Sequence, residues 1–267
     1  MNWTQAIGAY TTYLTAGGAP LTTIATRRQH LRQAAKGLGL DRSPWDVTDL
    51  ALSAYFGAQR WAVETRRGHR TSLVGFYRWG AKHGATSLDV AEALPRVKPA
   101  APAPRPVSDE AYRHALVRGD VRTRLMVRLA AECGLRRAEV AGLHSDDLVE
   151  DMAGWTLRVR GKGGKVRDVP LPDALSRDLR ALPRGYVFPG DDHGHLSPRW
   201  VGTLVSRALP DAWTMHKLRH RAATRWYAVD RDTFTVQDLL GHASPATTRA
   251  YVAIPNDSLR RTVEAAL

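Results

Sequence analysis

Residues 95–106 read PRVKPAAPAPRP. Proline recurs here with alanine between. The run can be neither a helix interior nor a central strand, and it makes a semi-rigid extended tether. A domain boundary therefore falls at this point. It divides 267 residues, long for one small domain and comfortable for two, into 1–95 and 107–255, with 96–106 as linker. Residues 256–267 form a tail.

Both sides of the tether are basic. Lysine and arginine number 39 against 26 acids, a formal charge of +13. The first 95 residues carry +5 of it, leaving +8 for the rest. Such an excess points to a polyanion, with nucleic acid the first expectation. Two basic domains on a stiff tether suit a clamp around a duplex. Hydrophobic residues make up 43%, enough for packed cores. No apolar run approaches the ~20 residues of a spanning helix. The start, MNWTQAIGAYTTYL, lacks the charged-then-apolar order of a signal peptide. The single cysteine, Cys133, excludes an internal disulfide and reads as a small core residue. A cytoplasmic, DNA-associated protein is expected.

The first half reads as all-helical, with helices near 3–16, 21–37, 46–58 and 60–83. Gly17-Gly18, Gly37, Gly39 and Ser43-Pro44 punctuate them. Leu73, Phe76, Tyr77 and Gly80 recur at helical spacing and form a core face. Arg27, Arg28 and Arg32 cluster on the second helix, and Arg66, Arg67 and Arg70 on the fourth. Each cluster is either a solvated face or a set of phosphate contacts, and the total charge favours the second.

The second half is mainly helical with a small hairpin, an α+β domain. In WTLRVRGKGGKVRDVPL (155–171), Trp155, Leu157 and Val159 alternate with polar residues, a Gly-rich turn follows, and Val166 and Val169 lie beyond it. Helices are expected near 108–117, 121–133, 136–143, 172–182, 197–207, 215–227, 235–240, 245–251 and 256–266.

Four separated stretches carry chemistry. In ECGLRRAEVAGL (132–143), Gly134 ends one helix and Arg136 and Arg137 begin the next. Basic residues oppose the macrodipole there, which suits arginines whose charge is answered by an anion. In the hairpin tip GKGGK, Lys162 and Lys165 flank two glycines; they are either part of a solvated turn or placed to donate a proton or touch phosphate. In MHKLRH (215–220), His216 and Arg219 share a helix face. His216 and His220 have the spacing of a zinc-binding helix, but its glutamate is missing, since position 217 is lysine. His193 and His195 read as a polar loop. No metal site and no cofactor is expected. In VQDLLGHASPATTRAY (236–251), Gly241 ends a helix and Ser244-Pro245 starts another. His242 lies in the corner between them and Tyr251 lies on the new helix.

Together these residues are what a phosphodiester attacked by a side-chain nucleophile needs. The nucleophile must lose its proton, charge on the non-bridging oxygens must be offset, and the leaving alkoxide must be protonated. Arginine binds phosphate oxygens as a fork. Paired arginines could do electrostatic work that a divalent metal does elsewhere.

At these four motifs the sequence resembles the tyrosine recombinases, or phage integrase family, including the Xer-type enzymes. GLRRAEVAGL resembles the first arginine box, implying Arg136; RGKGGKVRDVPL resembles the hairpin lysine motif, implying Lys162 over Lys165. HKLRH resembles the H-x-x-R box, implying His216 and Arg219, and LLGHASPATTRAY the last motif, implying His242 and the nucleophile Tyr251. The motifs span 134–251 in order, and the first half resembles, more loosely, the family's helical core-binding domain. The resemblance implies a two-domain DNA clamp and a 3′-phosphotyrosyl intermediate, with neither ATP nor metal. It implies four protomers on two duplexes at core-type sites, integrating or excising a phage or mobile element, with accessory DNA-bending or directionality factors as further partners. The chain is expected to begin at the core-binding domain, without an arm-binding domain. Arg27, Arg28, Arg66, Arg67, Arg70, Lys165 and Arg167 are the expected DNA contacts. The stripe Leu259, Val263, Leu267 suits docking of the tail on a neighbouring protomer. A type IB topoisomerase, a telomere-resolving enzyme and a non-catalytic DNA-binding regulator are the alternatives.

Overall fold

The computed structural model describes residues 1–86, 90–99, 105–161 and 164–241. The chain divides into two compact units, Met1–Ala101 and Pro102–Leu267.

The first unit is built from α1 (Trp3–Ala16), α2 (Leu21–Leu38), α3 (Asp49–Gly57) and α4 (Val63–Lys82). Helix α1 starts at a capping box: Asn2 Oδ1 accepts from the Gln5 amide at 2.9 Å and Gln5 Oε1 accepts from the Asn2 amide at 3.0 Å. Its buried residues Trp3, Ala6, Ile7 and Tyr10 repeat at helical spacing. They meet the expected face of α4, where Leu73, Phe76, Tyr77 and Gly80 are all buried. Phe76 stacks with Trp3 and Trp45 at centroid distances of 5.8 and 5.1 Å. Gly80 is required by that packing, since a Cβ there would lie 2.4 Å from the Trp45 ring. The third helix begins three residues later than its sequence boundary, because Pro44–Asp46 form a separate 3₁₀ turn and Thr48 caps the α-helix.

The second unit contains α5 (Asp109–Arg118), α6 (Val121–Glu132), α7 (Arg137–Ala141), β1 (Leu148–Asp151), β2 (Gly154–Arg160) and β3 (Val166–Pro170), followed by α8 (Asp173–Arg180), β4 (Pro189–Asp192), α9 (Pro198–Ala208), α10 (Met215–Asp230) and α11 (Thr233–Leu240). Ser108, Asp120, Ser197 and Asp232 cap α5, α6, α9 and α11 through their side-chain oxygens. Helix α6 is the core of this unit: Leu125, Met126, Val127, Leu129, Ala130 and Ala131 are buried almost all round it, against α5, α9 and α10. Cys133 follows, fully buried, and burial pushes its thiol up to about 12.

The sheet is antiparallel, in the order β1-β2-β3. The hairpin is where the sequence places it, but β1 is an additional strand. Leu157 faces Val169 and Val159 faces Arg167 across the β2–β3 ladder. Leu157, Val159 and Val169 are buried. Val166, one residue off that parity, is exposed. The expected helices at 245–251 and 256–266 lie outside the described residues.

Candidate active site

Gly134 sits at φ +63°, a left-handed conformation that suits glycine. It ends α6 and turns the chain into α7. A Cβ here would also lie 2.7 Å from the Trp226 ring. Two residues on, Arg136 occupies the N-cap of α7 in extended conformation. The anion that answers its charge is Glu139, three residues later. The carboxylate accepts the Arg136 amide at 2.8 Å and its guanidinium at 2.7 Å. The Arg136 side chain stays 36% exposed and opens onto solvent.

Arg219 approaches the same turn from α10. Its side chain is 1% exposed. One terminal nitrogen donates to the Gly134 carbonyl, and the other donates to Leu240 at 2.6 Å, at the end of α11. The guanidinium also lies 3.9 Å from the Glu139 carboxylate. His216, one turn earlier on α10, faces the cleft. Desolvation of its ring, and then the charges of Arg219, Lys217, Arg136 and Arg137, hold its pKa below the ordinary histidine value. That shift favours the neutral ring. His220 meets it edge to face at 4.9 Å and is buried, which pushes its pKa down to about 4. Arg136, His216 and Arg219 line one cleft of about 810 Å³, with Arg199, Thr203 and Arg207 of α9 on its other wall. A concave site with fixed cations and a neutral histidine suits a phosphate diester.

The family model for the phage integrases matches residues 110–257. The tyrosine recombinase XerC of Rhodospirillum centenum is 34% identical over 242 residues, covering 81% of this chain and 69% of that protein. The tyrosine recombinase XerD of Caulobacter vibrioides is 30% identical over 258 residues, covering 84% of each. The chain belongs to the phage integrase family. It is a tyrosine recombinase, and its activity is site-specific DNA recombination. Among solved structures, a lambda integrase tetramer bound to a Holliday junction matches with a TM-score of 0.78 at 19% identity, covering 95% of this chain and 78% of that one. At that identity the likeness shows the fold.

Of the recombinase's expected catalytic residues, the structure brings Arg136, His216 and Arg219 together. Lys162, His242 and Tyr251 lie outside the described residues. Their nearest described neighbours reach the same centre. Gly161 lies beside Glu139 and closes the hairpin by donating to Lys165 at 2.7 Å. Gly241 caps α11 at φ +64° as expected, directly after the Leu240 carbonyl that Arg219 holds. Among the described residues no three His, Cys, Asp or Glu side chains are grouped as metal ligands, and no helix is long and apolar enough to cross a membrane.

Glu139 is the residue the sequence reading passed over. It stands inside the quoted arginine box, where no role was assigned to it. Its side chain is 4% exposed. Burial alone would raise its pKa, but the guanidinium of Arg167, with the Arg136 amide and side chain, holds it down at about 2. A carboxylate so placed neutralises one end of each arginine and fixes how they point.

The expected DNA contacts divide. Arg28 is exposed on α2, in line with Arg32 and Lys36 and beside Gln29 and Gln33. Lys165 is exposed on the hairpin. Arg67 is exposed and pairs with Glu64 at 2.7 Å. Four others make hydrogen bonds to protein acceptors. Arg27 donates to the Tyr10 hydroxyl at 2.7 Å. Arg66 donates to the carbonyls of Phe56 and Gln59, and Arg70 to those of Leu94 and Pro95. Arg167 points inward to Glu139.

Proposed function

We propose that the recombinase cuts and rejoins DNA through Tyr251. The observation that carries this is the convergence of Arg136, Arg219 and His216 on one cleft, with Gly161 of the hairpin beside Glu139 and the Leu240 carbonyl of α11 held by Arg219. In this reading the Tyr251 phenol oxygen attacks the scissile phosphorus. The bond from phosphorus to the 5′-oxygen breaks, leaving a 3′-phosphotyrosyl link and a free 5′-hydroxyl. His216, whose neutral ring is favoured, takes the phenol proton. Lys162 gives a proton to the departing 5′-oxygen. Arg136, Arg219 and His242 hold the non-bridging oxygens, where charge develops. A 5′-hydroxyl from a partner strand then attacks the link, and the phenol regains its proton. The phosphodiester energy is kept in the intermediate, so no nucleotide is consumed.

The exposed Arg28, Arg32 and Lys36 of α2, with Arg67 and Lys165, are the phosphate contacts of this reading. The assembly is four protomers on two duplexes, in line with the tetramer on a Holliday junction seen for lambda integrase. The tail stripe Leu259, Val263, Leu267 docks on a neighbour in that assembly.

The test is to trap the chain on a library of nicked duplexes, sequence the attached strand, and repeat with Tyr251→Phe. The variant is expected to retain DNA binding and to lose the covalent adduct. An adduct that persists in Tyr251→Phe refutes the assignment.

A further inference from the structure

The roles above leave Arg167 without one. It stands on β3 opposite Val159, on the inner face of the sheet. Its side chain is 9% exposed. Both terminal nitrogens donate to Glu139, at 2.9 and 2.8 Å, as a fork on the two carboxylate oxygens. The remaining nitrogen, Nε, donates to the Leu239 carbonyl at 2.9 Å. A Cβ added at Gly241 would lie 2.9 Å from the Arg167 Cδ, so the end of α11 packs directly on this side chain.

Three segments far apart in sequence thus meet on one planar group. The first is the hairpin that carries Lys162 at its tip. The second is the α7 turn, in which Glu139 holds Arg136. The third is the last turn of α11, from which the chain runs on to His242 and Tyr251. Arg219 holds the next carbonyl of that turn, Leu240, from the opposite element.

We propose that Arg167 is a positioning residue for strand cleavage, setting the spacing between the Arg136 turn, the lysine hairpin and the end of α11 so that all three address one phosphate. The inference rests on the function proposed above. Its chemistry requires arginine. A lysine keeps the charge but offers a point donor, and it cannot join both carboxylate oxygens and a carbonyl in one plane. Displacements of about 1 Å in such a frame can cost roughly 100-fold in rate.

Arg167→Lys and Arg167→Ala are made in the full chain. The probe is a nicked duplex carrying the sequence to which the wild type becomes joined. Thermal unfolding, duplex affinity and the single-turnover rate of adduct formation at saturating duplex are measured together. The expected result for Arg167→Lys is a saturating rate lowered by roughly tenfold or more, with duplex affinity little changed. Added guanidinium ion should restore part of the rate in Arg167→Ala and not in Arg167→Lys, where the lysine occupies the space. An unchanged saturating rate overturns the proposal, as does a loss confined to affinity, which would make Arg167 a DNA contact. Failure of both variants to fold assigns the residue to stability and also overturns it. The wild type and Tyr251→Phe are run alongside. A wild type that forms no Tyr251-dependent adduct defeats the functional reading, whereas a normal wild type with unaffected variants defeats this inference alone.

Discussion

Replacing Glu139 by glutamine removes one charge from a cluster of three arginines and leaves the volume unchanged. In the native chain the carboxylate accepts the Arg136 amide, the Arg136 guanidinium and both arms of Arg167, with Arg219 at 3.9 Å. Holding its pKa at about 2 against an ordinary 4.5 corresponds to about 3 kcal/mol, at about 1.36 kcal/mol per tenfold. Breaking a buried pair from one side costs about 3–5 kcal/mol by a separate route, the uncompensated charge left behind. The two figures agree. For a domain of this size, about 3 kcal/mol lowers the melting temperature by roughly 6–12 °C. The sign with pH follows from the lowered pKa. An unfolded carboxyl takes up its proton near its ordinary value, while the folded one resists until about 2. The stabilisation is therefore complete above the ordinary value and fades as pH falls toward about 2. Glu139→Gln has no such proton to bind, so the gap between the two proteins should be widest at neutral pH and close in acid. Urea unfolding of both proteins from pH 7 down to pH 3 measures it. A gap below about 1 kcal/mol at pH 7, or one that does not narrow in acid, refutes the reading of Glu139 as a charged keystone.

Gly134→Ala should lose about 1–3 kcal/mol, because its backbone is left-handed and its new methyl would press on Trp226. Since the Gly134 carbonyl anchors Arg219, the adduct rate at saturating duplex should fall as well, and thermal melting with single-turnover cleavage checks both. Arg28→Ala should weaken binding across duplex sequences alike and lower the slope of log affinity against log salt by about 0.9, the value for one phosphate contact. Titrations at several salt concentrations read that slope directly.

The helices of both units were legible because their signals are local: a capping Asn, Ser or Asp, an apolar stripe, a closing glycine. Strand β1 was not, since LVED is short, half-buried and too brief to show alternation. Its existence depends on β2 lying beside it. The two roles missed in the site share one cause. Glu139 and Arg167 are 28 residues apart, and neither shows its partner until the fold brings them together. Parity offered a clue. Arg167 is two residues from Val169 and so shares its buried face, whereas Val166 does not. In the first unit, the hydrogen bonds of Arg66 and Arg70 to the carbonyls of Phe56 and Leu94 come from folding, not from neighbouring sequence.

The grip of Arg167 and Arg219 on the last carbonyls of α11 also sets a length scale. From Leu240 to Tyr251 the chain has eleven residues. A fully extended strand of that length reaches at most about 38 Å, and a helix of it about 16 Å. If Tyr251 is the nucleophile, as proposed above, these lengths bound its reach from a fixed post. Adding or removing residues between 243 and 250 would change which phosphates fall within that reach, without altering Arg136, His216, Arg219 or His242.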